Sequence, residues 1–139
     1  MSSLTDLREV VDVIIGVDTH VHTHSAAVVE TGTGAGEGFT LNYPMPPGTP
    51  FSVWRKSLAD ALQKIADYAP DALVVSLGVD TFETDPISFF KLKSPDFATY
   101  GTDIAQLGLP TLFVMEGGYD IDEIGLNTVN VLQGFLGTA

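Results

Sequence analysis

Three places in this chain have residue types and spacing that could do chemistry. All three histidines fall in one run, Asp18-Thr-His-Val-His-Thr-His24. In extended backbone alternate side chains point the same way, so Asp18, His20, His22 and His24 would share one side. A carboxylate and an imidazole two residues apart can reach one ion, and oxygen and nitrogen donors suit zinc at a catalytic site. The run reads equally as a solvated loop or strand edge whose histidines do nothing, since short histidine tracts can be incidental. Asp80 directly follows an apolar run and either binds a metal or caps a turn. Tyr119, after Gly117-Gly118, is either an oxyanion donor on a tight loop or a packing residue at a helix start. Asp85-Pro86 reads as turn chemistry rather than catalysis. Trp54, Phe89 and Phe90 read as core or rim aromatics.

The elements that must position these residues follow from periodicity. Residues 10–17 (VVDVIIGV) form a short β-branched apolar run, a buried strand. Residues 25–30 (SAAVVE) are a weaker strand, 31–38 a Gly-rich link, and 39–43 (FTLNY) an alternating strand ended by the prolines of 44–50. A helix then carries Trp54, Leu58, Leu62, Ile65 and Ala69 on one face, with Thr49 as its cap, Pro50 in its first turn and Pro70 as its stop. Residues 72–77 (ALVVSL) are a continuous apolar run, expected of a parallel strand covered on both faces. A loop over 78–93 leads to a helix begun by Ser94-Pro95, with Phe97, Tyr100, Ile104 and Leu107 at helical spacing and Gly108 closing it. Residues 109–115 (LPTLFVM) are the next buried strand. Asp120 and Glu123 form a capping-box pattern for a last helix bearing Ile124, Val131 and Phe135. The order β-β-β-α-β-α-β-α argues for one α/β domain over 1–139, an open and mostly parallel sheet flanked by helices. In such sheets ligands bind beyond the carboxyl ends of the strands, where Asp18–His24, Gly78–Asp85 and Glu116–Tyr119 fall.

Composition bounds the partners. With 139 residues, the chain is about one domain long at roughly 150 residues per domain, enough for a core without staples. There is no cysteine, which excludes disulfides and thiolate metal sites. Eighteen acidic residues against six basic ones give a net charge of −12. A phosphate backbone or an acidic membrane is therefore a poor partner, and a cationic ligand or a metal a better one. No apolar stretch approaches the ~20 residues of a membrane span. The opening MSSLTDLREVVDV has acids where a secretory signal needs an apolar run, so a cytoplasmic address is expected.

From about Gly34 onward the chain resembles the acetylpolyamine amidohydrolase branch of the histone deacetylase family, in that family's C-terminal part. The segments GAGEGFTLNYPMPPGT, ALVVSLGVDTFETDPISFFKL and GLPTLFVMEGGYDIDEIGLNTVNVLQGF carry the likeness. It implies an open α/β sheet with zinc beyond the strand ends, the three-layer, arginase-like deacetylase fold in truncated form. It makes Asp80, in GVDTF, a zinc ligand, and Tyr119 the tyrosine that polarises the acetyl carbonyl. Acetylated polyamines or acetyl-lysine analogues are the implied substrates. Residues 1–35, by contrast, resemble the opening of RNase H-like insertion-sequence transposases through DVIIGVDTHVHTHSAAVVETGTGA, where the aspartate matching Asp18 binds catalytic magnesium. The chain thus reads as a chimera with its seam in Thr31–Gly36.

The deacetylase resemblance implies two further zinc ligands as Asp-x-His at the end of a buried strand. Here a buried strand ends in Asp18-Thr19-His20. If that strand takes the vacant slot, Asp18, His20 and Asp80 rebuild an Asp-His-Asp zinc site. Nothing matches the family's general-base histidine pair, and Gly16 and Val21 stand where its pattern has an aspartate and a second histidine. Losing a positioned base forfeits about 10²–10⁴-fold. The expectation is therefore a zinc-binding, deacetylase-like domain with weak or no hydrolysis. Two other readings compete. One is a structural chimera without catalysis, self-associating as a homodimer to cover a truncated sheet. The other is a magnesium nuclease, disfavoured by the net charge and by the lack of further matching acidic ligands.

Overall fold

The computed structural model describes residues 13–16 and 41–137. Three strands and three helices alternate in it: β1 (Val13–Gly16), α1 (Phe51–Tyr68), β2 (Leu73–Leu77), α2 (Ser94–Ala105), β3 (Thr111–Met115) and α3 (Ile124–Leu136). The strands form one sheet in the order β1-β2-β3, and both pairings are parallel. The register sets Gly16 beside Ser76 and Leu77 beside Met115. All three strands therefore end on the same side. This is the open, parallel α/β sheet flanked by helices that the element order implied.

One face of the sheet carries the core. Leu73, Val75 and Leu77 alternate inward along β2 and are buried with Trp54, Leu62 and Ile65 of α1 and Phe97, Tyr100 and Ile104 of α2. Trp54 and Tyr100 meet at a tilt, 5.1 Å between ring centres, and Phe113 of β3 meets Phe135 of α3 edge-on at the same separation. Aromatic pairs at such distances add about 0.5–1.5 kcal/mol beyond the area they bury. The opposite face is not closed among the described residues: Leu112 is 59% and Val114 40% exposed. The reading of residues 109–115 as a buried strand is corrected accordingly, and so is the expected cover of residues 72–77 on both faces, since Val74 and Ser76 are only partly buried. Apolar runs predict a strand, whereas its cover depends on elements elsewhere in the chain.

Two caps also differ from expectation. Thr49 does not cap α1; its hydroxyl donates to the Pro46 carbonyl at 2.6 Å, and the residue at the cap is Pro50, with no side-chain cap bond. Asp120 and Glu123 form no capping box for α3, because the Asp120 carboxylate accepts from the Thr84 hydroxyl at 2.6 Å instead. Only half of such a box appears at α2, where the Lys93 amide donates to Asp96 Oδ2 at 2.7 Å and the Asp96 amide donates to the Lys93 backbone carbonyl at 2.8 Å. Residues 41–43 form no strand; Pro44, Pro46 and Pro47 follow them without N–H groups, and the Tyr43 hydroxyl is engaged by Asp60 at 2.6 Å. The strand expected at 25–30 lies outside the described residues. α1 gives way before Pro70 as expected, whereas α2 ends at Ala105, short of the expected stop at Gly108, which adopts φ +65°. Among the described residues no helix is long and apolar enough to cross a membrane.

Candidate functional site

The ladder between β2 and β3 does not stop at the strand ends. The Glu116 amide donates to the Leu77 carbonyl and the Val79 amide to the Gly117 carbonyl, each at 2.9 Å. These bonds carry the loops after both strands forward side by side, bringing Asp80 against the Gly117-Gly118-Tyr119 turn.

Each glycine in that turn has a separate reason to be there. A Cβ on Gly117 would overlap the Asp80 carboxylate, at Oδ2 above all. The missing side chain is therefore the space that Asp80 occupies. Gly118 has φ +147°, a conformation that other residues avoid, and a Cβ there would stand 2.7 Å from Val79 and 3.0 Å from Ile124. Asp80 is only 6% exposed, while Tyr119 is 53% exposed at the same end of the sheet. The two residues singled out on the described strands are thus held on adjoining loops.

Buried carboxylates need partners or ions, since an isolated charge in the interior is costly. The Asp80 charge is felt by Tyr100, whose hydroxyl pKa is pushed well above its ordinary value, first by complete burial and then by that neighbouring negative charge. Close by in sequence, the Thr81 hydroxyl is buried and makes no hydrogen bond among the described residues; nor does Asn127 Oδ1 on α3.

Asp85 is the buried acid whose part was underread. Its Oδ1 accepts from the Ile87 amide at 3.1 Å, the turn chemistry expected of it. Its Oδ2 also accepts from the amides of Tyr119 at 2.6 Å and Asp120 at 3.1 Å. No local pattern announces a bond that spans 34 residues, though a buried acid between two loops is the kind of group that makes one.

Asp18, His20, His22 and His24 lie outside the described residues. What the fold supplies is β1 itself, parallel to β2, so the chain leaves both strands at the same end of the sheet. Among the described residues no group of three histidine, aspartate or glutamate side chains could hold a metal by itself. Asp80 fits zinc as one ligand of a set: it is a buried carboxylate with a space kept for it by Gly117.

Comparison with known proteins extends this geometry. The model of the family described as histone deacetylase domain matches residues 12–135. That match takes in β1 and begins within the segment where the transposase resemblance was read. An acetylpolyamine amidohydrolase from Mycoplana ramosa is 63% identical over 100 residues, covering 72% of this chain and 29% of its own length. Acetylpolyamine amidohydrolase 1 of Pseudomonas aeruginosa is 59% identical over 103 residues, covering 74% of this chain and 30% of its own. A crystal structure of acetylpolyamine aminohydrolase from Burkholderia pseudomallei superposes with a TM-score of 0.73 at 38% identity, covering 76% of this chain and 31% of that one. The chain therefore spans less than a third of the length of these relatives.

Proposed function

The chain belongs to the histone deacetylase domain family, and from that premise we propose that its strand ends form a zinc-binding site for acetylated amines, with residual hydrolysis at most. Asp80 holds the metal together with Asp18 and His20. Zinc bound there would polarise an acetyl carbonyl and make a water more acidic. The observation that carries the proposal is the buried Asp80 carboxylate seated in the space left by Gly117, two residues before Tyr119.

The chain's own residues divide the remaining work. Tyr119 donates its phenolic hydrogen to the acetyl oxygen as negative charge develops there. The substrate class comes from the relatives, whose names specify acetylpolyamines. The net charge of −12 supports a cationic amine and disfavours nucleic acid. Slow turnover is expected because no segment of the sequence matches the family's general-base histidine pair, and no spacing fixes His22 or His24 in that role. The missing base costs about 10²–10⁴-fold.

Release of acetate from an acetylated polyamine by the zinc-loaded chain tests this reading. Slow, zinc-dependent release that drops below detection in Tyr119→Phe, with the metal still bound, is the expected result. Hydrolysis that survives Tyr119→Phe contradicts the role given to the phenol. No release at all leaves the strand-end residues without a catalytic part and favours a purely structural domain.

A further inference from the structure

Resting on that reading, we infer that Asp85 is the positioning residue of Tyr119, acting through the backbone of the turn that carries it. A half-exposed tyrosine is not fixed by packing around its ring. Its direction is set by its backbone, and here that backbone follows two consecutive glycines, which restrict the chain less than any other residues. Something outside the turn must select its conformation.

Asp85 does so from the neighbouring loop. One carboxylate oxygen receives the amides of Tyr119 and Asp120 at 2.6 and 3.1 Å, while the other receives its own loop's Ile87 amide at 3.1 Å. The carboxylate is 6% exposed, so water competes little for these bonds. Hydrogen bonds to an ionised acceptor are stronger than neutral ones. A second tie runs parallel to the first: the Thr84 hydroxyl donates to Asp120 Oδ2 at 2.6 Å. Asp80 is set by the same two loops, through the Val79 amide on the Gly117 carbonyl at 2.9 Å. Asp85 thereby holds the phenol's backbone in register with the metal-binding carboxylate without touching either reactive group.

The chemistry of the bonds makes the claim specific to an acid. All three groups facing Asp85 are donors. An asparagine in its place has one acceptor oxygen and one donor NH₂, so one side of the arrangement must face donor to donor.

The test uses the zinc-loaded 139-residue chain, wild type beside Asp85→Asn. In Asp85→Asn the exchange protection of the Tyr119 and Asp120 amides should fall by about tenfold or more, with β2 and α2 unchanged and zinc still bound. Hydrolysis of the acetylated polyamine should lose kcat at constant KM. Unchanged protection overturns the inference. So does a fall in protection of β2 and α2 as large as that at Tyr119 and Asp120, which would make Asp85 a support of the fold only. If Asp85→Asn does not fold, Thr84→Val probes the parallel tie. There a local loss of protection at Tyr119 and Asp120 supports the lacing, and its absence refutes it. If the wild-type chain hydrolyses nothing, the hydrolase reading fails on its own. The exchange measurement then decides whether Asp85 anchors the turn.

Discussion

The α2–α3 seam and the loops beyond β2 and β3 both depend on glycines, and they use them differently. At the seam a Cβ on Gly101 would overlap the Val131 carbonyl, and one on Gly134 the Ala98 carbonyl. Bare backbones meet there, and the Thr102 hydroxyl bonds the Gly134 carbonyl across the contact at 3.2 Å. At the loops Gly117 leaves its space to a carboxylate. The seam's glycines serve cohesion, and the loop's glycine serves a charged group that could act on a ligand. Substitution should therefore damage stability in one region and binding in the other.

The largest effect belongs to the seam. Gly101→Ala and Gly134→Ala push side-chain atoms into backbone that cannot yield without separating two helices, and overpacking of this kind costs about 1–3 kcal/mol or more. Chemical denaturation should show both midpoints lowered. Gly125→Ala, on the outer side of α3 with nothing within 4 Å of the added atom, should instead gain about 0.5–1 kcal/mol from its helix propensity. If all three behave alike, close backbone approach is not what the seam requires.

Next comes Gly117→Ala. The Asp80 carboxylate must move, so zinc affinity measured by calorimetric titration should fall about 10–100-fold, the usual range when a ligand loses its positioning. Its thermal midpoint should stay much closer to wild type than that of Gly101→Ala. A loss of stability without a loss of zinc would erase the distinction between the two regions.

The smallest effect lies away from both. The Tyr43 hydroxyl donates to Asp60 at 2.6 Å, and its pKa is raised from 10.0 to about 12 by partial burial and then by that bond. Asp60 is lowered from 3.8, chiefly by the same bond and by the one from Lys64. A raised tyrosine contributes stability that is fully present below pH 10 and lost as pH climbs toward 12. A lowered aspartate contributes stability present above its ordinary value and lost as pH falls through its folded one. The thermal midpoint of wild type should therefore exceed that of Tyr43→Phe by a small constant amount from about pH 5 to 9. The two should converge above pH 10; a gap that persists to pH 12 would show that the bond is not what separates them.

The sequence was most legible where one element's own periodicity decides. The faces of α1 and α2 and the parallel run of β2 were read correctly because helical and strand spacing are local properties. Capping was not legible: Thr49 turns to the Pro46 carbonyl, Asp120 is drawn to Thr84, 36 residues away, and the bond from the Lys93 amide to Asp96 at α2 is one the sequence pattern did not single out. Asp85 shows the same limit within one residue. Its bond to Ile87 follows from the Asp-Pro turn, whereas its bond to Tyr119 exists only once the two loops are side by side. Asp80 and Tyr119 stood out by their places after apolar runs, but their roles came from the family resemblance of the segments that contain them. Why Gly117 must precede Tyr119 became visible only against the Asp80 carboxylate.

Zinc retention by the purified 139-residue chain, beside Asp80→Ala, tests the central claim most directly. Both would be dialysed first against excess zinc and then against metal-free buffer, and the metal counted by elemental analysis. The account predicts one equivalent of zinc held by the wild-type chain and almost none by Asp80→Ala, with both proteins folded. Zinc absent from the wild type, or retained equally by the variant, would contradict the assignment of Asp80 to a metal site.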